Sequence, residues 1–476
     1  MSDFLAVRQK VAYNVGINMS ANGRSEDFFL MKANALDHGD LHHIIRFALP
    51  VAAENLITQM ISMVISMLIG GITKSALAAV GLVNQAVSMY SAIFSLMSTG
   101  GAVLLARSIG SRNYKESSMI AEQNMLLALA VSILMSGVSL AAATPVMRLL
   151  MPNVEPVMFS EGVIYFRLMM ISFPALIVNS VASSMLRAAG NSRGPMLTTV
   201  VVNVVQVGAA ALFIPGLKMG IAGAGASYVA ARYAGAALIT FILLKYHSSF
   251  KIDLKRMLKP DFPTWTRMAR IGVPNSLEST LVQAGYLIAN TMIVNLGAHQ
   301  AAVYQVTNTL YGFAAYPQGI CGPILISFVG QALGAGQVAK AKKTLMGIYC
   351  CGMVASLIMS LIISLCVVPL GGLFTGDPTV IEDCKTTIWY MFVMCIPAMS
   401  INGMDPGLRT GGDSKWIMIY TIFAVWAIRV PLTWLFCYQL SWGVPGLFMA
   451  NIISLVFRAL CSQFRFHTGK WLHANV

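Results

Sequence analysis

Two glutamates lie inside long apolar segments, each four residues after a proline. Glu54 follows Pro50, and Glu278 follows Pro274. An unpaired charged carboxylate inside a membrane costs on the order of several kcal/mol, so an acid in such a place is rarely present without a reason. A carboxyl group in a low-dielectric site can take up and release a proton near neutral pH, or hold a cation. The alternative is structural: a protonated glutamate that hydrogen-bonds backbone groups freed by the proline.

Two further charges lie within apolar segments. Asp405 has Arg409 one helical turn away, so a salt bridge between them competes with a functional role for Asp405. Arg429 lies in the middle of the segment WAIRVPL, where it needs an anionic partner or a water-filled cavity. An embedded acid of the same lobe, Glu278 or Asp405, is a candidate partner, in a structural ion pair or a gate.

Polar residues on the same segments are candidates for lining a cleft. Asn84 and Asn308 are the best matched pair, and the other selected residues are Asn55, Gln59, Gln283 and Tyr286. Hydrogen bonds between helices, each contributing about 0.6–2 kcal/mol, are the alternative use of such side chains. A sodium ion at Glu54 or Glu278 would recruit oxygen ligands of this kind. The eight cysteines show no CxxC or Cys/His spacing, so no other metal and no cofactor is expected.

The composition is that of a membrane protein. Hydrophobic residues make up 57% of the 476, charged residues only 11%, and the mean hydropathy is +0.71, whereas soluble proteins carry about 25% charged residues. Apolar runs of about 20 residues, long enough to cross a bilayer as helices, recur along the chain. We predict twelve spans, at about 44–71, 76–107, 119–144, 158–188, 194–215, 220–246, 271–296, 299–334, 342–369, 380–411, 416–438 and 443–466.

The positive charge orients the chain in the membrane. The net charge is +14, and most of the Lys and Arg residues near the connections lie in alternate connections, with only a few in the others. This bias is expected when basic loops stay in the cytoplasm, and it does not indicate a nucleic-acid partner. Both termini, residues 1–40 and 467–476, are predicted to be cytoplasmic tails of a multi-pass protein in a bacterial plasma (inner) membrane. A single chain, a monomer, is expected.

One half of the sequence repeats the other. The separation in residue number is identical for Pro50 and Pro274, for Glu54 and Glu278, and for Asn84 and Asn308, and it is nearly the same in the Leu-Arg turns that follow the fourth and tenth spans. Each six-span unit crosses the bilayer an even number of times, so both copies insert in the same orientation, an arrangement typical of secondary transporters. We predict an all-α polytopic protein with two pseudo-symmetric six-helix bundles, 41–246 and 271–466, joined by a cytoplasmic linker, 247–270.

These motifs resemble the multidrug and toxic compound extrusion family over residues 41 to 466. The features that carry the resemblance are LAAVG (77–81), a long second helix closing at Gly110, the paired turns LRAAGNSRGPM (186–196) and LRTGGDSKWIM (408–418), GQALGAG (330–336) and GIAGA (220–224). The resemblance implies a cation-coupled antiporter with two six-helix bundles in a V, which exports organic compounds by alternating access.

The chain departs from the better-known branches of that family. At positions where those branches carry acids in the first, seventh and tenth spans, it has Ile65, Val282 and Met399. It resembles instead a bacterial branch with Pro-x-x-x-Glu in the first helix of both lobes. Coupling residues of the other branches therefore do not transfer, and Glu54 and Glu278 are the expected coupling or countercharge sites.

The sequence pattern is compatible with more than one function for a membrane protein. The three embedded acids favour an exporter of amphipathic, cationic organic compounds, coupled to H+ in preference to Na+. The alternative on a related fold is a flippase or exporter of a lipid-linked or other endogenous metabolite, which would need a basic cavity. A channel or receptor does not explain two acid-bearing copies, and an enzyme is not expected because no nucleophile–base or metal-ligand spacing appears.

Overall fold

The chain is built from long helices joined by short turns. The computed structural model describes residues 38–70, 74–150, 156–245, 249–372, 374–375 and 377–473, so most of the predicted N-terminal tail lies outside the described residues. No strand occurs in these ranges. The twelve long helices are α1 His38–Gly70, α2 Lys74–Gly110, α3 Tyr114–Ala141, α4 Pro156–Ala188, α5 Arg193–Ala211, α6 Gly220–Lys245, α7 Phe262–Val294, α8 Ala298–Ala314 with Tyr316–Gly334, α9 Val338–Leu365, α10 Pro378–Thr410, α11 Ser414–Phe423 with its continuation to Gln439, and α12 Gly443–His467.

The helices are those of an all-α polytopic membrane protein, as predicted. In the described part of the chain, nine helices are long and apolar enough to cross a bilayer, and α8 makes a tenth if its two pieces, bent by 44°, form one span. The remaining two, α1 and α7, carry Glu54 and Glu278 and are each 33 residues long. About 20 residues suffice to cross the hydrocarbon core.

The internal repeat is visible in the backbone. Residues with positive φ, a conformation that only a few residue types adopt readily, occur at matching places in the two halves. The pairs are Arg112 and Gly336, Gly190 and Gly412, Lys218 and Ser441, and Gly220 and Gly443. Lys218 and Ser441 have φ values of 52° and 53°. The two copies therefore share their turns and not only their apolar pattern.

One helix of the second copy holds an extra residue. Gly190 and Gly412 are repeat partners that precede α5 and α11, and Lys218 and Ser441 are repeat partners that follow these helices. The second pair is separated by one residue more than the first. The end of α5 is a π-helical turn, Leu212–Gly216, and α11 has the matching turn, Leu435–Gln439. In addition, α11 contains a π-helical segment, Ala424–Arg429, which has no counterpart in α5. Because π-helical bonding spans one residue more than α-helical bonding, this segment absorbs the insertion without ending the helix.

The two halves meet through reciprocal glycine contacts at the C-terminal ends of α2 and α8. A Cβ atom on Gly110 would lie 2.1 Å from the backbone oxygen of Gln331, and one on Gly334 would lie 2.0 Å from that of Arg107. Gly110 and Gly334 are repeat partners at the same separation as Glu54 and Glu278, and so are Arg107 and Gln331. Each contact is therefore the repeat image of the other, and both require glycine.

The predicted inter-lobe linker is anchored to the first lobe. Glu122 accepts a hydrogen bond from the Asp253 backbone (2.9 Å), and Gln123 donates to the Lys259 carbonyl (2.7 Å). Helix α7 begins within the predicted linker, at Phe262, where Asp261 accepts from the Thr264 backbone. Residues 249–261 are therefore fixed against α3.

Replacing Gly334 by alanine should weaken the contact between the lobes. The new methyl group overlaps the Arg107 backbone, and overpacking of this kind costs about 1–3 kcal/mol. Thermal unfolding of the purified protein in detergent is expected to show a lower midpoint. The matched control is Gly312→Ala in the same helix, where a Cβ meets nothing within 4 Å; equal midpoints for the two variants would contradict the contact.

Candidate functional site

The first embedded acid is held by an arginine. Arg187 at the end of α4 donates from Nη1 to Glu54 Oε2 (2.9 Å), and Thr199 of α5 donates to Oε1 (3.1 Å). The Glu54 and Arg187 side chains are 14% and 19% exposed. Glu54 thus joins three helices of the first lobe, and its charge is compensated.

The second acid repeats this arrangement. Arg409 at the end of α10 donates from Nη2 to Glu278 Oε2 (2.8 Å), and it also donates to the side-chain oxygen of Asn275. Arg458 of α12 contributes a second cation, with Nη2 3.7 Å from Glu278 Oε1. Glu278 is only 5% exposed, so two guanidinium groups surround a nearly dry carboxylate.

The two arginines are functional candidates that the sequence interpretation missed. Arg187 and Arg409 fall at the ends of the fourth and tenth predicted spans, beside basic connections, and the structure places them in the last turns of α4 and α10. Side chains at such positions point back toward the helix N-terminus, which brings the guanidinium groups into the bundle. The signal was available, because these arginines repeat at nearly the same separation as the two glutamates.

Asp405 does not form a salt bridge with Arg409, the structural alternative that the sequence leaves open. Tyr420 and Ser462 donate to its Oδ1, at 2.5 and 2.6 Å. Its Oδ2 lies 4.0 Å from Arg458 Nη2. Arg409 is directed instead to Glu278 on α7, so Asp405 belongs to a separate branch of the same charged network.

The predicted pairing of Arg429 with Glu278 or Asp405 is also wrong. Those acids are already paired with arginines of α10 and α12. The Arg429 guanidinium carbon lies instead 3.8 Å from the centre of the Tyr286 ring, in a cation–π contact. Arg429 itself is 2% exposed.

A cavity of about 510 Å3 lies between the lobes. Glu54, Asn55 and Arg187 line it from the first lobe, and Asn275 and Arg409 line it from the second. A second cavity, of about 460 Å3, lies largely in the second lobe and extends to Gln85 and Ser88 of α2. Both have the size of binding sites for drug-sized molecules.

Most of the other predicted site residues line one of the two cavities. Gln283, Tyr286, Asn308 and Arg429 line the second cavity. Gln59 and Asn84 line neither of the two, and Asn84 accepts a hydrogen bond from the Tyr165 hydroxyl (3.4 Å). Asn84 and Asn308 therefore match in sequence and differ in surroundings.

Glu278 connects the two cavities through its partners. The carboxylate is not among the lining residues of either cavity, but Arg409 lines the first and Arg458 lines the second. A change of charge on Glu278 would therefore be felt in both. Within the described residues no group of three or more His, Cys, Asp or Glu is placed to hold a metal ion.

Comparison with known proteins gives a consistent result. The chain is similar to the probable multidrug resistance protein NorM of Thermotoga maritima (26% identity over 443 residues, 90% of this chain and 92% of that protein). It is also similar to multidrug and toxin extrusion protein 1 of Danio rerio (22% identity, 86% of this chain and 69% of that protein).

Solved structures share the fold. A MOP superfamily transporter from Pyrococcus furiosus superposes with a TM-score of 0.84 at 19% identity, covering 90% of this chain and 96% of that one. An outward-facing multidrug resistance MATE family transporter gives 0.82 at 19% identity, covering 91% and 96%. The MatE family model matches residues 50–212 and 274–435, so its two matches begin at the prolines of the two Pro-x-x-x-Glu motifs. Because these matches cover more than half of the chain, the protein belongs to the MatE family of multidrug and toxic compound extrusion transporters.

Proposed function

We propose that the chain is a cation-coupled antiporter that exports amphipathic organic compounds by alternating access between its two lobes. The observation that carries the proposal is a glutamate–arginine pair at the matched position of each lobe, partly buried in the first lobe and nearly enclosed in the second, with the first pair and Arg409 lining the cavity between the lobes. The relatives named as multidrug resistance and extrusion proteins support this function. Family transporters use ion coupling and not a bound cofactor.

In the proposed cycle, a cation on the glutamate competes with the arginine. A proton on Glu54 removes the charge that holds Arg187, so the contact among α1, α4 and α5 loses its ionic component. Loss of one partner from a fully buried ion pair costs about 3–5 kcal/mol, and the partly exposed pair of Glu54 and Arg187 contributes less. A shift from 1:99 to 99:1 between two states needs about 5.5 kcal/mol, so both pairs together supply a substantial part of the change in the favoured state.

A proton fits this site better than sodium. A sodium ion needs several oxygen ligands, but Glu54 already accepts from Arg187 and Thr199. A guanidinium 2.9 Å from the carboxylate would also repel a metal cation. A proton needs only one oxygen of the carboxylate and neutralises the pair directly.

The distribution of basic residues among the connections supports one orientation of the chain in the membrane. The C-terminal ends of α2 and α8 lie beside basic connections, which the positive-inside rule assigns to the cytoplasm. The Gly110 and Gly334 contacts then close the protein toward the cytoplasm, and the central cavity serves an outward-facing state. We place the chain in a bacterial plasma (inner) membrane, with both termini cytoplasmic. We propose a monomer, because a single chain supplies both sides of the cavity.

The arginines beside the embedded acids change what those acids imply about the charge of the transported compound. Three embedded acids with few basic residues matched to them favour a cationic substrate. The structure instead compensates Glu54 and Glu278 with arginines. The alternative function, export of an endogenous or lipid-linked metabolite, is favoured by one observation: Arg429 supplies the basic group in the second cavity that such cargo would need.

Replacing Glu278 by glutamine should abolish drug resistance in an efflux-deficient bacterial host while leaving expression intact. Glutamine cannot carry a charge or exchange a proton, so Arg409 loses its ionic partner. Growth at graded drug concentrations measures the effect. Glu382→Gln is the matched control, since Glu382 is an exposed acid of α10 that pairs with Lys385. Normal resistance of the Glu278 variant would remove this residue from the mechanism.

The coupling ion can be tested in proteoliposomes. An imposed pH gradient should drive movement of a fluorescent substrate, and a sodium gradient at equal pH on both sides should not. The Glu54→Gln variant should lose the response. To separate transport from folding, the double variant Glu54→Gln, Arg187→Gln removes both charges of the pair and should recover thermal stability without recovering transport. Transport driven by sodium alone would overturn the proton assignment.

A further inference from the structure

One buried cation in the second lobe has no anionic partner among the described residues. Arg429 is 2% exposed, and no carboxylate of the described residues lies within ion-pair distance of it. Its Nε atom is buried without a hydrogen-bond acceptor. The Tyr286 ring, 3.8 Å from the guanidinium carbon, offsets the burial of this charge only in part.

The position of Arg429 follows from the insertion in α11. Arg429 is the last residue of the π-helical segment Ala424–Arg429, the one that the first copy lacks in its matching helix α5. Pro431, two residues later, further loosens the backbone hydrogen bonding there. Such π-helical insertions often occur at functional sites because they redirect side chains without ending the helix.

The surrounding cavity is polar, aromatic and basic. Tyr286, Tyr304, Tyr311 and Phe448 line it, together with several asparagine amides. Its described lining includes Arg458 and Arg429 but no aspartate or glutamate. Arg458 is directed to Glu278 and Asp405, which leaves the guanidinium of Arg429 to supply the uncompensated charge.

We propose that this cavity binds an organic anion, with the carboxylate or phosphate group on Arg429 and an aromatic or apolar body against the tyrosines and Phe448. A guanidinium binds such groups through two parallel hydrogen bonds and keeps its charge when buried. The asparagine side chains supply further donors. This inference rests on the proposed function, because it identifies the class of compound that the exporter carries in its second lobe.

The test is a binding measurement on the purified full chain in phosphatidylcholine nanodiscs. The probes are 2-naphthoate, 1-naphthyl phosphate and the neutral 2-naphthamide, which share one ring system. At least one of the two anions is expected to bind about tenfold more tightly than the amide, and Arg429→Gln should remove this preference while changing amide binding by less than about twofold. An anion preference that survives in Arg429→Gln would overturn the proposal, as would the absence of a preference in the unmodified chain.

Two further variants guard against a folding artefact. Arg429→Lys keeps the positive charge but cannot form two parallel hydrogen bonds, so it should weaken anion binding even if the glutamine variant does not fold. Arg232→Gln is the matched control, because Arg232 is the arginine of the first lobe that lies over a tyrosine ring, Tyr228, at 6.0 Å. Equal losses of anion binding in the Arg232 and Arg429 variants would contradict a site at Arg429.

A change of lipid distinguishes two sources of the anionic group, a separate organic anion and a lipid headgroup. Nanodiscs that contain phosphatidylglycerol should leave anion binding unchanged if the cargo is a separate organic anion. Complete competition by the lipid would assign the cavity to a lipid headgroup and overturn the cargo proposal. The result is separate from the antiport assay: proton-driven transport of a neutral substrate can persist when anion binding fails, and anion binding in nanodiscs needs no ion gradient.

Discussion

A charge buried in a membrane protein needs an opposite charge or a polar cavity, and in this chain the pairing of two embedded acids with arginines sets where several helices lie. Glu54 is reached by Arg187 and Thr199, which ties α1 to α4 and α5. Glu278 is reached by arginines of α10 and α12. Because an unpaired member is costly in such surroundings, the two pairs stabilise this arrangement of the helices.

The two copies have diverged around this shared pair. In the first lobe, Gly235 occupies the repeat position of Arg458, and Ser183 occupies that of Asp405. The first lobe therefore has one simple pair beside the central cavity, whereas the second adds an acid, an arginine and Arg429, which has no anionic partner among the described residues. A simple pair suits the exchange of one proton. The larger network, with its own cavity, suits recognition of cargo, so the geometry supports a division of tasks between lobes.

The sequence predicted the helices well because apolar runs and repeat offsets are properties of the chain itself. The partners of the charged side chains were harder to predict, because they depend on which helices become neighbours. Arg187 and Arg409 fall at the ends of predicted spans, next to basic turns, and the apolar pattern does not show that their side chains point back into the bundle. Arg429 does not pair with Glu278 or Asp405, because other arginines lie closer to these two acids. The separation between repeat partners grows by one residue across α11, and this change is visible in the sequence. It reports the one-residue insertion that positions Arg429.

The ion pair of the first lobe lies close to the contact between the lobes. Ala188, next to Arg187, accepts a hydrogen bond from the Gln331 side chain (2.8 Å), and the Gln331 backbone is the group against which Gly110 packs. A movement of the end of α4, once Arg187 is released from Glu54, therefore acts directly on a residue of the opposite lobe. The two glycine contacts are made by backbone atoms and depend on close approach, which is lost after a small displacement. Under the proposed function, the release of Arg187 therefore acts on an interface whose two glycine contacts contribute no electrostatic attraction to oppose a displacement.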